Sequence, residues 1–343
     1  MRTTRMSDKW ITGQVDTPKG PVPVVSASLS LKDIAGACKV RFGIGRMDYN
    51  VAPGLYAAGN PGERSPVLVS ANYKLTFDTL RKNLSGVDCW ILILDTKDVN
   101  VWCAAGKGTF GTDELVNRIE KTGLSDIVTD RKLILPQLGA SGMSAHEVLK
   151  RSGFSVIYGP VRASDIKDFL RADCKATKEM RTMKFTTWDR LVLTPVEFMA
   201  AAKISLRVFG VLFLINLFAA RPFGLYDFFA YAGAVVAGTV VTPVLLPVVP
   251  GAAFSWKGWL LGLCWAALAL RLFGWFTPRH ALLATGYVLL LPAISAYFAM
   301  NFTGASTYTS FSGVAKEMRI ALPLLIGSSV IGAALVILWR INI

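Results

Sequence analysis

The sequence predicts an α/β domain with a Rossmann-like parallel sheet, followed by an all-α transmembrane domain of about five helices. Charge is the first observation: residues 1–203 hold 29 Lys/Arg and 21 Asp/Glu, whereas residues 204–343 hold 8 and 2. The second is a series of apolar runs at 195–220, 226–248, 258–276, 281–302 and 320–339, each near the ~20 residues that cross a bilayer. The third is an alternation of short apolar strands with amphipathic helices between Pro66 and residue 171. A chain of 343 residues, 52% hydrophobic and 17% charged, is too long for one compact unit and too apolar for an average soluble domain.

Residues 1–65 are rich in Gly and Pro, as in PKGPVPVV and VAPGLYAAGNPGERSP, and predict a wrapping arm with short extended pieces between turns. From Pro66 the order is VLVS, a helix near 74–84, CWILILD, a helix near 112–122, KLIL, a helix near 143–151, FSVIYG and a helix near 164–171. This pattern over 66–173 is that of a parallel sheet wrapped by helices. Residues 174–194 form a basic juxtamembrane linker, and 195–343 the transmembrane domain. In the first run Lys203 and Arg207 interrupt the apolar pattern, and in the third Arg271 must snorkel or face protein.

The opening MRTTRMSDKWITGQ has no apolar core, so the residues before the first span are expected in the cytoplasm. Lys175, Lys178, Arg181, Lys184 and Arg190 precede that span against Glu179 and Asp189, the positive-inside signature. The net charge of +14 therefore points to anionic membrane lipid rather than nucleic acid, although topogenic charge alone also accounts for it. Five cysteines, at 38, 89, 103, 174 and 264, show no CxxC pair, which excludes a disulfide scaffold or an intrinsic iron–sulfur cluster. Any electrons must come from another protein.

In parallel sheets ligands bind beyond the carboxyl ends of the strands, so the loops starting at Ala71, Thr96, Pro136 and Gly159 form the candidate site. Three are built of small residues: VNVWCAAGKG at 99–108, GASG at 139–142 and YGPVRA at 158–163. Small side chains admit a large flat ligand, while tight turns are the simpler alternative. GKGTFG at 106–111 matches GxGxxG, but NVWCAA separates it from its strand; AAGKGT fails as a phosphate loop because Val101 stands where the first glycine belongs. Cys103 could be a buried packing residue. Alternatively, Asp98 or Asn100 caps a short helix that carries Cys103 in its first turn, making it a soft metal ligand at the ligand edge. Of the two histidines, His280 lies at a membrane helix end and His146 reads as a surface or packing residue.

The stretch NVWCAAGK at 100–107 resembles the cap-helix motif of HgcA, the corrinoid protein of the mercury-methylating pair. The similarity extends through NYKLTFD at 72–78, PQLGASG at 136–142, YGPVRA at 158–163 and NFTGASTYTSFSGVAKEM at 301–318, and so covers nearly the whole chain. It implies a domain similar to the corrinoid-binding domain of corrinoid iron–sulfur proteins, holding a cobalamin-type cofactor base-off with Cys103 as the lower axial ligand to cobalt. The same resemblance implies a corrinoid surface formed by Thr76, Asn100, Val101, Trp102, Ala104, Ala105, Gly106, Gly139, Ala140, Ser141, Gly142, Gly159, Pro160 and Ala163. The sequence lacks the DxHxxG pattern through which many corrinoid proteins supply a histidine, which agrees with a cysteine in that place.

A thiolate under cobalt donates density to the trans methyl–cobalt bond and favours methyl transfer to a soft electrophile. The activity implied is transfer to Hg(II) as a carbanion equivalent, giving methylmercury. Two electrons must then return to cobalt, and the resemblance assigns this to a ferredoxin-like 4Fe–4S partner. The methyl donor would be a methyltransferase or methyltetrahydrofolate. A membrane corrinoid carrier of one-carbon metabolism with another acceptor, and a non-enzymatic membrane scaffold, are the competing readings.

Overall fold

The computed structural model describes residues 9–217, 222–305 and 311–341. The end of the run expected at 195–220, and 306–310 of the motif at 301–318, lie outside them. The chain divides into two units, one of Met1–Val40 with Ile44–Lys184 and one of Arg41–Gly43 with Phe185–Ile343.

In the first unit, β1 (Ile11–Thr17) and β2 (Gly20–Val25) form a hairpin, followed by α1 (Leu31–Arg41) and β3 (Gly54–Ala58). Then come β4 (Val67–Ala71), α2 (Lys74–Arg81), β5 (Cys89–Leu94), α3 (Val101–Gly106) and α4 (Thr112–Thr122). The unit continues with β6 (Lys132–Leu135), α5 (Ala145–Ser152), β7 (Ser155–Tyr158) and α6 (Ile166–Arg171). All seven strands join one sheet in the order β1-β2-β3-β5-β4-β6-β7. The four strands visible in the sequence pattern pair in parallel, Val67 opposite Trp90 and Leu133, and Lys132 opposite Ser155. The Gly/Pro-rich stretch adds three more: β3 runs antiparallel to β5, with Leu55 opposite Leu92.

Both faces of the sheet are covered, as the near-continuous apolar strands require. Along β5, Trp90, Leu92 and Leu94 pack on one face with Val101, Phe110, Leu115 and Ile119. Cys89, Ile91 and Ile93 pack on the other with Phe77, Ile166 and Phe169. The period-two alternation of the strand thus places α3 and α4 on one side and α2 and α6 on the other.

The second unit contains α7 (Thr187–Leu191), α8 (Thr194–Asn216), α9 (Leu225–Val236), α10 (Thr242–Leu245), α11 (Phe254–Leu272), α12 (Ala281–Asn301) and α13 (Phe311–Ile341). Among the described residues four helical stretches are long and apolar enough to cross a membrane: Thr187–Asn216, Leu225–Leu245, Pro278–Gly304 and Ser312–Ile341. The run expected at 258–276 is also a helix, α11, but it falls outside that set. Lys257, Arg271 and three tryptophans lower its apolarity. It packs instead by small residues: a Cβ on Gly262 would lie 2.7 Å from Pro292 Cα of α12. Likewise α12 and α13 approach so closely that a Cβ on Gly286 would lie 2.9 Å from the Gly332 carbonyl oxygen, the small-residue packing that substitutes for hydrophobic drive in lipid.

Candidate functional site

The carboxyl ends of β4 and β5 are joined by Asn72, a buried amide immediately after β4. Its Oδ1 accepts from the Thr96 N–H (3.1 Å), the Thr96 hydroxyl (2.8 Å) and the Asp98 N–H (3.2 Å), and its Nδ2 donates to Asp98 Oδ1 (2.9 Å). This one side chain fixes a loop in which Lys97 and Asp98 adopt left-handed φ values of 55° and 62°, a conformation that ordinary residues hold only under constraint. The single Thr96 hydroxyl proton is shared between Asn72 Oδ1 and the Val99 carbonyl, which lies 2.7 Å from the hydroxyl oxygen. The motif at 72–78 points to Thr76 in the sequence, whereas the larger role falls to Asn72, whose signal is an amide directly after an apolar strand.

The loop delivers the chain to α3. Of the two caps the sequence allowed, Asn100 is the one used: its Oδ1 accepts from the Cys103 N–H at 2.9 Å. Val101, Ala104 and Ala105 are buried beneath the helix, while Trp102, Cys103 and Gly106 are exposed. Cys103 is therefore not a packing residue. Its thiol stands on the outer face of a short capped helix at the carboxyl edge of the sheet.

The segment Gln137–Gly142 packs against α3. A Cβ on Gly139 would lie 2.5 Å from the Phe110 ring, and one on Gly142 would strike the Phe110 carbonyl and lie 3.0 Å from Ala105 Cα. Both glycines are thus required by packing. Ala140 is half-buried, Ser141 exposed, and Leu138 offers an exposed apolar side chain on the segment that packs against α3. Gly159 and Pro160 are buried after β7. Thr76, half-buried on α2, and Ala163, half-buried in the turn Ala163–Asp165, lie on elements that pack together, opposite the sheet face that carries α3.

A buried ionic cluster holds α2. Lys74 Nζ reaches Asp33 (2.7 Å) and Asp78 (2.6 Å), and Arg81 reaches Asp33 (2.9 Å) and Asp78 (2.8 Å) while donating to the Ser26 and Ser28 carbonyls. Burial alone would raise the Asp33 pKa, but hydrogen bonds from Lys74 and Ser30 outweigh it and hold the carboxyl well below the usual range. At the β5 end, Asp95 is likewise held low: burial opposes ionisation, and bonds from Lys97 prevail.

Among the described residues no group of three His, Cys, Asp or Glu is placed to hold a metal ion. A corrin supplies four equatorial nitrogens itself, so a single exposed soft donor next to the exposed Trp102 fits such a cofactor, whereas it could not hold a bare ion. His146 is exposed on α5, near Glu147 at 3.5 Å. Two cavities lie elsewhere. One of about 830 Å³ sits at the amino ends of the strands beside Cys174, and one of about 910 Å³ lies among α8, α9, α12 and α13.

Residues 41–170 match the family model of the CO dehydrogenase/acetyl-CoA synthase delta subunit. Over 123 residues the chain is 37% identical to the acetyl-CoA decarbonylase/synthase complex subunit gamma of Methanocaldococcus jannaschii, a match covering 35% of this chain and 25% of that protein. The corresponding subunit of Methanopyrus kandleri is 33% identical over 130 residues, covering 37% and 28%. That of Archaeoglobus fulgidus is 32% identical over 127 residues, covering 36% and 27%. The chain spans about a quarter of the length of the curated relatives it matches. The matched stretch includes Asn72, Thr76, α3 with Cys103, and Ala163, and these likenesses relate the sheet unit to a corrinoid-binding domain.

Proposed function

We propose that this chain is a membrane-anchored corrinoid protein that transfers a methyl group to Hg(II), giving methylmercury. The observation that carries the reading is Cys103, an exposed thiol on a capped helix at the ligand edge of a sheet related to corrinoid-binding domains. When bound, the cofactor supplies a methyl group on cobalt, reactive toward soft acceptors. Cys103 Sγ would hold the cobalt of that cofactor, and its electron donation would make the methyl group more nucleophilic. Asn100 and Asn72 fix the height and tilt of Cys103 by anchoring its helix and the loop before it. Trp102 and Leu138 present apolar surface to the macrocycle, and Ala104, Ala105, Gly139 and Gly142 let the two supporting segments close against each other. Thr76, in the first turn of α2, and Ala163, in the turn before α6, would line the cofactor from the opposite side of the sheet's carboxyl edge.

A methyltransferase or methyltetrahydrofolate supplies the methyl group, and a ferredoxin-like 4Fe–4S protein returns the two electrons each turnover consumes. The helical unit holds the site at the cytoplasmic face of the inner membrane. A second reading, a methyl carrier of one-carbon metabolism with another acceptor, is favoured by the acetyl-CoA decarbonylase/synthase relatives. Cobalt analysis and absorption spectra of wild type and Cys103→Ala test the cofactor and its ligand. Methylmercury formation with methyl donor, reductant and iron–sulfur partner then separates the acceptors: cobalt-loaded protein that forms none is a carrier for another substrate.

A further inference from the structure

Helix α1 is amphipathic in an inverted sense. Asp33, Gly36 and Val40, spaced three and four apart, face the protein: Asp33 and Val40 are buried, and a Cβ on Gly36 would lie 2.6 Å from the Tyr49 hydroxyl oxygen. The opposite face carries Leu31 (85% exposed), Ile34 (54%), Cys38 and Phe42, one stripe at helical spacing. The chain then continues into Ile44 (59%) and Met47 (62%). A soluble surface does not usually display such a contiguous apolar strip without an occupant.

The occupant is indicated by two observations. The exposed or half-exposed charges beside the strip are Lys32, Lys39, Arg41 and Arg46 against Asp48, since Asp33 is neutralised by Lys74 and Arg81. Moreover, Arg41–Gly43 belong to the helical unit, where Arg41 Nη1 donates to the Val192 carbonyl directly before α8 begins at Thr194. Trp188, exposed on α7 at the very start of the apolar stretch Thr187–Asn216, is the residue type that marks a membrane interface. An apolar strip bordered by cations has the composition of an element lying in the headgroup layer.

We propose that residues 31–47 are an in-plane anchor, with Leu31, Ile34, Phe42, Ile44 and Met47 inserted among the acyl chains and Lys32, Lys39 and Arg46 on anionic phosphates. The anchor ties the sheet unit to the bilayer independently of the spanning helices. It rests on the membrane reading of the helical unit and not on the corrinoid.

The test uses the full chain in nanodiscs of phosphatidylcholine with phosphatidylglycerol. Nitroxide labels are placed through Ile34→Cys or Met47→Cys in a background of Cys38→Ser, Cys103→Ala and Cys264→Ser, with the signal of that background subtracted. Controls are labels through Lys121→Cys, on exposed α4, and Ile331→Cys, on an exposed face of α13. The expected result is a ratio of oxygen to water-soluble nickel accessibility at positions 34 and 47 several-fold above that at 121, approaching that at 331. A ratio equal to that at 121 overturns the proposal. Exclusion of both reagents also overturns it, because a protein, whether a second copy or another partner, would then cover the strip. A water-like label at 331 would instead overturn the membrane reading beneath it.

Discussion

The two ends of the sheet carry the same functional group in opposite circumstances. At the carboxyl end Cys103 is exposed on a capped helix, held by a loop whose left-handed residues are fixed by Asn72. At the amino end Cys89 is fully buried at the start of β5, where burial and the Asp88 charge push its thiol up to about 12. Cys174, half-buried beside the cavity at that end, is also raised by burial. Cys103 owes its exposure to its backbone position, which is set by the buried Asn72 and the half-buried Asn100.

Given that contrast, disturbing the supports should matter more than disturbing the surface. Arg81→Ala should have the largest effect, about 3–5 kcal/mol lost in denaturant unfolding, because Asp33 and Asp78 would remain buried and under-compensated. The same cluster sets a pH dependence. Asp33 has a folded pKa below its unfolded value, so its contribution is complete at neutral pH and is lost as pH falls below about 4. Acid titration of unfolding should show this, and Lys74→Met should move the loss to higher pH.

Asn72→Ala should cost about 1–3 kcal/mol by leaving the Thr96 and Asp98 groups without their amide partner. Asn100→Ala should cost about 0.5–2 kcal/mol, the usual range for a lost helix cap. Hydrogen exchange would place both losses in residues 95–108; uniform loosening of the sheet would contradict the positioning role. In cofactor-free protein, site-resolved alkylation should modify Cys103 rapidly and leave Cys89 protected until unfolding. Equal rates would erase the contrast between the two ends.

The parallel core was legible because its strands are apolar on both faces and its helices are amphipathic; KLIL and CWILIL stand out by pattern alone. The three strands before it were not, since Pro21, Pro23 and Gly54 interrupt the periodicity that pairing later imposes. At the site, a short capped helix carrying Cys103 was legible in local sequence, but the choice between Asp98 and Asn100 as its cap was not. Nor was the Asp33–Arg81 cluster, because its members are 48 residues apart and meet only through tertiary packing. Gly139 and Gly142 show a further limit: glycine in a loop signals close approach, but the approaching partner here is Phe110.

The most direct test is the absorption spectrum of cobalt-loaded wild type beside Cys103→Ala and His146→Ala. Cys103→Ala alone is expected to change the axial-ligand bands and to reduce methyl transfer sharply, with His146→Ala matching wild type. An unchanged spectrum in Cys103→Ala, together with a shift in His146→Ala, would contradict Cys103 as the ligand.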